Sequence, residues 1–168
     1  MLIFEWLLPL FQFSILSSNF INHKIPNSFF GITIMEQKEV ITAFLLNEGK
    51  VLLLRRSHSV SSYQGQWAGV SGYLEKESPI EQALTEIKEE TSLSGEDITF
   101  LTAGFPLTVE DPDIGVRWMV HPFLFRVENQ ERLKLDREHT ESRWFGPEEI
   151  PGLPTVPRLF EVLRRVLP

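Results

Sequence analysis

Apolar and polar positions follow different schedules along this chain. Val40 to Leu46 and Lys50 to Leu54 are β-rich apolar runs separated by Asn47-Glu48-Gly49, a short glycine-containing loop that predicts a hairpin. Arg55 and Arg56 end the second run. Gly65 to Gly72 is too broken by glycine for a helix and suits a place where backbone comes close to a ligand. From Pro79 the period changes: Ile80, Ala83, Leu84 and Ile87 recur at i, i+3, i+4 and i+7, which predicts one buried stripe on a helix. Ser78 and Glu81 have capping-box spacing, and Pro79 suits the first helical position. Ile98 to Phe105, Val116 to Val127 and Trp144-Phe145 read as strands. Leu159, Val162, Leu163 and Val166 give Val156 to Val166 a helical period. Strands and helices in this mixed order predict an α+β domain with a central mixed sheet between helices.

The first 34 residues are different in kind. Leu2 to Leu16 is nearly continuous apolar sequence interrupted by Glu5 and Pro9, short of the about 20 residues that a bilayer span needs. No basic residue precedes Lys24 and no small-residue cleavage site follows, against a secretory signal. The segment holds 6 of the 13 Phe but only Glu5 and Lys24 as formal charges. The expectation is a hydrophobic N-terminal extension over 1–34, non-native or disordered, with the functional domain at 35–168 beginning at Met35.

The net charge of -7 argues against a nucleic-acid surface, which needs a basic patch. With no cysteine, disulfides, thiolate catalysis and Cys-based zinc sites are excluded. The acidity is concentrated. At about 100° per residue, Glu86 and Glu90 lie about 40° apart around the helix, flanked by Glu89 and Gln82. Like charges at i, i+4 cost about 0.2–0.5 kcal/mol, and acids near the C-terminal end oppose the helix dipole. A solvated acidic face is one explanation for such a ridge. A divalent cation is the other, since carboxylate oxygens that leave positions for water and phosphate oxygens match Mg²⁺ chemistry.

The stretch from Gly72 to Leu93 resembles the Nudix box, G-x5-E-x7-R-E-U-x-E-E-x-G-U with U apolar. Glu86-Ile87-Lys88-Glu89-Glu90 matches its core, Leu93 its apolar end and Glu77 its first glutamate. Three departures stand out: the Gly72 to Glu77 spacing is one residue short, Thr85 replaces arginine and Ser92 replaces glycine. Leu52 to Arg56, Gly65-Gln66-Trp67 and Arg143 to Ile150 extend the similarity.

The resemblance implies an α/β/α sandwich that hydrolyses the pyrophosphate bond of a nucleoside diphosphate linked to another moiety. It implies Mg²⁺, with Mn²⁺ as the alternative, held by Glu86, Glu89 and Glu90, and a carbonyl near Ser71 or Gly72 completing the shell. Glu86, Glu89 and Glu141 are the candidate catalytic acids, with Glu138 competing for the role of base; Arg55, Arg56 and Gly72 are the candidate substrate contacts. His58, His121 and His139 have no ligand spacing and are taken as structural. Trp67, Trp118 and Phe123 could stack on a base, although strand aromatics usually belong to a core. Thr85 removes a charge-assisted hydrogen bond that orients a glutamate in the family, so a nucleotide-binding sensor without turnover is the rival reading. Isopentenyl-diphosphate isomerase chemistry lacks the cysteine it would use. The expected partner is a small nucleoside diphosphate derivative in the cytoplasm, neither nucleic acid nor membrane, with a homodimer left open. Substrate choice is expected to reside in a loop from Thr108 to Gly115.

Overall fold

The computed structural model describes residues 28–29, 32–33 and 35–168. Two short strands, β1 (Ser28–Phe29) and β2 (Ile32–Thr33), pair antiparallel; the rest of the expected extension lies outside the described residues.

The main sheet is built on β3 (Glu36–Asn47) and β4 (Lys50–Arg56). They form the expected hairpin, with Glu48 at φ 47° and Gly49 at φ 76°, the two left-handed positions a tight hairpin turn requires. The glycine-rich passage supplies β5 (Trp67–Ala68) and β6 (Val70–Tyr73), which pair with β4 and β3. After helix α1 (Pro79–Thr91) come β7 (Ile98–Ala103), β8 (Leu107–Asp111), β9 (Val116–Val127) and β10 (His139–Phe145), then the short helix α2 (Leu159–Leu163). Strand order is β10-β4-β3-β9-β7, with β8 also on β9. Only β3 and β9 run parallel among the paired strands, Glu36 opposite Val116 through Leu46 opposite Arg126, so the sheet is mixed.

Strand β4 shows why its apolar run does not alternate. Leu52 and Leu54 pack with Ile41, Ala83 and Ile87 under α1, while Val51 and Leu53 pack with Phe44, Leu124, Leu159 and Leu163 under α2. A strand covered on both faces has no solvent side to make polar. The α/β/α sandwich expected from the sequence is therefore present, and Ile87, fully buried, anchors α1 to it. Truncating such a residue to alanine costs about 2–5 kcal/mol. Among the described residues no helix is long and apolar enough to cross a membrane.

Several local expectations need correction. Ser78 makes no side-chain cap; Pro79 begins the helix without it, and a reciprocal capping box is found instead at Ser94 and Asp97. The last helix does not start at Val156 but after Arg158, whose φ of 56° breaks the helical path. Part of the region expected as a loop from Thr108 to Gly115 is strand β8, paired from Leu107 opposite Val120 to Asp111 opposite Val116. The strand expected at Trp144-Phe145 is longer, β10 beginning at His139.

Candidate active site

The C-terminal end of α1 fixes the site. Helices leave their last carbonyls without internal partners. Here Glu90 O accepts from Asp136 N at 3.3 Å and Thr91 O from Lys134 N at 2.9 Å, which docks the segment before β10 against the helix. Ser92 ends the helix in the left-handed region at φ 61°.

Glu90 is only 6% exposed. Its Oε1 accepts from Ser71 N at 3.3 Å, while Oε2 is buried with no hydrogen-bond partner among the described residues. His139 Nε2 stands 3.7 Å from that oxygen, outside hydrogen-bond reach, and His139 Nδ1 instead meets Asp136 Oδ1 at 2.9 Å. Burial pushes the Glu90 carboxyl well above its ordinary range; Glu86 and Asp136 push the same way, and the Ser71 amide and Arg56 only partly oppose them. Glu86 is half-buried and accepts from Gln82 Nε2 at 2.8 Å. Its carboxyl is also raised, first by burial, then by Glu89, Glu138 and Glu75, against the Gln82 bond. The same oxygen, Oε1, lies against Gly72, where a Cβ would overlap the Glu86 carboxylate. Strand β6 holds that glycine in place, Gly72 opposite Ile41 and Ser71 opposite Thr42.

These groups line a cavity of about 650 Å³. One wall is acidic: Glu86, Glu89 and Glu90 from α1, with Asp136 and Glu138 across from them. Arg56 also lines it, donating Nε to Ser62 O at 3.0 Å. The other end is aromatic, with Tyr63, Tyr73 and Trp118; the Tyr73 and Trp118 rings are 6.2 Å apart. Tyr63 OH donates to Asp111 Oδ2 at 2.8 Å and accepts from Trp118 Nε1 at 3.0 Å. Burial and the Asp111 bond push the Tyr63 hydroxyl up to about 12, so it remains a neutral donor. A second hollow of about 740 Å³, over Ile80, Leu84 and Phe100, includes neither Glu86 nor Glu90.

Of the residues singled out from sequence, Glu86, Glu89, Glu90, Arg56 and Gly72 share this cavity. Arg55 and Glu141 are not among its lining residues. They face each other across β4 and β10, 3.5 Å between Arg55 Nη1 and Glu141 Oε2, and Glu141 Oε1 also takes Arg143 Nη2 at 2.6 Å. Strand pairing joins these side chains with Arg143 in a partly exposed ion-pair cluster beside the cavity's lining. Trp67 and Phe123 are core, Trp67 edge-on to Phe145 at 5.1 Å, whereas Trp118 reaches the cavity. His139, Asp136, Gln82 and Tyr63 were not legible as site residues. Only Asp136 and His139 left a trace, as an i, i+3 acid–histidine pair.

Among the described residues no three acidic or histidine side chains already converge as a metal cage. The donor chemistry nevertheless fits a hard divalent cation: the unpartnered Glu90 Oε2, the raised Glu86 and Glu90 carboxyls and the glycine at Gly72 are what a cation would relieve.

Comparison with known proteins places the chain in context. The domain description "NUDIX domain" matches residues 36–166. The nucleoside triphosphatase NudI of Escherichia coli (strain SE11) is 28% identical over 127 residues, covering 69% of this chain and 86% of that protein. The crystal structure of the MutT protein from Methanosarcina mazei Go1 superposes with a TM-score of 0.65 at 25% identity, over 78% of this chain and 93% of that one. An Ap4A hydrolase of C. elegans, solved as a binary complex, shares the fold with a TM-score of 0.60 at 21% identity, over 77% of this chain and 93% of that one.

Proposed function

The chain belongs to the Nudix hydrolase family, and from that premise we propose that it is a nucleotide pyrophosphohydrolase whose working domain is residues 35–168. In this reading Mg²⁺, or Mn²⁺ in its place, is held by Glu86 and Glu90 with Glu89 beside them, and the substrate is a nucleoside diphosphate linked to another group. When bound, such a cation neutralises phosphate charge and acidifies water.

The chain's own residues supply the rest. Arg56, at the cavity wall, takes phosphate oxygens, and the aromatic end formed by Tyr63, Tyr73 and Trp118 receives the nucleoside. Water attacks phosphorus: a new P–O bond forms, the bridging P–O bond breaks and the water proton passes to a carboxylate. Glu138 is the acid we assign to that proton, since it lines the cavity and its charge bears on Glu86, whereas Glu141 is held by Arg55 and Arg143.

The single observation that carries this reading is Glu90, a carboxylate buried with one oxygen unpartnered at the mouth of an acidic wall. A structural role would be served by satisfying that oxygen or by using an apolar residue. The test incubates the full chain with Mg²⁺ and separately with a nucleoside triphosphate, ADP-ribose, a dinucleoside polyphosphate and NADH. Release of a mononucleotide that stops with EDTA supports hydrolysis. Tight binding of one of these with no product in any of them would favour the sensor reading.

A further inference from the structure

Gln82 is 4% exposed, in a helix whose buried stripe is otherwise built by Ala83, Ile87 and their apolar neighbours. Burying an amide is unfavourable unless its donors and acceptor are used. Both ends of this one are used. Glu75 N donates to Gln82 Oε1 at 3.3 Å, and Gln82 Nε2 donates to Glu86 Oε1 at 2.8 Å. A backbone N–H can only donate, so the Glu75 contact turns the amide oxygen toward itself and leaves the NH₂ toward Glu86. Thr85, next to Glu86 in sequence, does not serve it: its Oγ1 donates to Glu81 O at 2.9 Å and also contacts Lys76 Nζ.

We propose that Gln82 is the positioning residue for Glu86, holding one carboxylate oxygen so that the group is oriented for the cation before the cation arrives. This rests on the reading of Glu86 as a metal ligand. A neutral donor suits the task better than a cationic one. A lysine or arginine in the same place would orient the carboxylate but cancel the charge that attracts a divalent ion, whereas the amide fixes geometry and leaves the full negative charge. The same oxygen, Glu86 Oε1, is also confined by Gly72, where a Cβ would overlap it, so a backbone wall and the amide act on one carboxylate oxygen. Position 82 is one helical turn before 86, which lets a glutamine reach it without distorting α1.

The test is Mn²⁺ binding by the full chain, followed by the electron paramagnetic resonance signal of free Mn²⁺ and paired with thermal melting. Gln82→Met keeps the volume and removes the donor; Gln82→Asn keeps an amide but draws it out of reach, and provides the comparison if the methionine variant fails to fold. The expected result is an affinity about tenfold weaker, within the range known for lost outer-shell partners, and a lower kcat with little change in KM. The Tm should stay close to wild type. Wild-type affinity in a folded Gln82→Met or Gln82→Asn chain overturns the proposal while Glu86→Gln still abolishes binding, which leaves the metal-ligand reading intact. No Mn²⁺ binding by the wild-type chain, alone or with nucleotide, overturns both.

Discussion

Gly72 and Glu86 compete for one volume: the carboxylate of Glu86 lies where a Cβ on residue 72 would be. The strand register that places Gly72 opposite Ile41 therefore also sets where the first glutamate of the acidic ridge can rest. Gly72→Ala should displace that carboxylate by the order of an ångström, and misplacement on that scale costs about 10²-fold in activity. Comparison of kcat/KM with Tm checks this, since Gly72 is not at positive φ and the variant should remain folded. Activity within threefold of wild type would show that Glu86 does not need its present position.

Glu90 makes stability depend on pH in an unusual direction. Its folded-state carboxyl is raised above the unfolded value, so the folded chain binds the proton more tightly than the unfolded one. That contribution is fully present below the unfolded value of 4.5 and is lost as pH rises through the raised folded value. Without divalent cation, Tm should therefore fall as pH is raised from 4.5 upward through the raised folded value. Mg²⁺ should restore it more at the upper end than at the lower. Melting curves across that range, with and without Mg²⁺, give the answer; an identical Mg²⁺ effect at both ends would detach the cation from Glu90.

Ser92 occupies the left-handed turn that closes α1, at φ 61°. A residue with a Cβ is strained there and glycine is not. Ser92→Gly should stabilise the chain by about 0.5–1 kcal/mol after allowing for the greater freedom of glycine when unfolded, read as a shift in the urea midpoint. A loss of stability would mean that the Ser92 hydroxyl does more than its long 3.4 Å contact to Lys134 O indicates.

Tyr63 ties the 57–66 loop to the sheet through one hydroxyl shared by Asp111 and Trp118. Tyr63→Phe leaves a buried carboxylate oxygen and an indole N–H without that partner, a cost of about 1–3 kcal/mol. Because the same ring lines the aromatic end of the cavity, KM should rise while kcat holds. Steady-state kinetics beside denaturant unfolding separate the two effects, and an unchanged KM would show that the hydroxyl's hold on the ring does not bear on substrate binding.

How much of this was legible beforehand depended on whether a side chain's role follows from its own segment. The β3–β4 hairpin and the Glu86, Glu89, Glu90 ridge are local patterns, and the structure keeps them; of the expected α1 stripe it buries Ala83 and Ile87 and part of Ile80, but leaves Leu84 42% exposed. The mixed sheet between two layers of helix was legible from element order. The rest is non-local. The ion pair of Arg55 with Glu141 follows from the pairing of β4 with β10, which neither segment announces. His139 and Asp136 lie beside Glu90 because the Lys134 and Asp136 amides cap the last carbonyls of α1. Gln82 read as a flank of the ridge, since nothing in its segment reveals that Glu75 N orients its amide. The late start of α2 followed from Arg158 adopting positive φ after Pro157, which the apolar period does not register.

The account depends most on Glu90, and Glu90→Gln tests it in one experiment with two readings, nucleotide hydrolysis with Mg²⁺ and Tm without any divalent cation. The amide is nearly isosteric but uncharged, so it should remove the buried charge and the metal ligand together. The predicted result is a fall in kcat of about 10³-fold or more, on the scale of losing a main electrostatic contribution to the transition state, with a metal-free Tm equal to or above wild type. Unchanged Mg²⁺-dependent turnover in Glu90→Gln would contradict it.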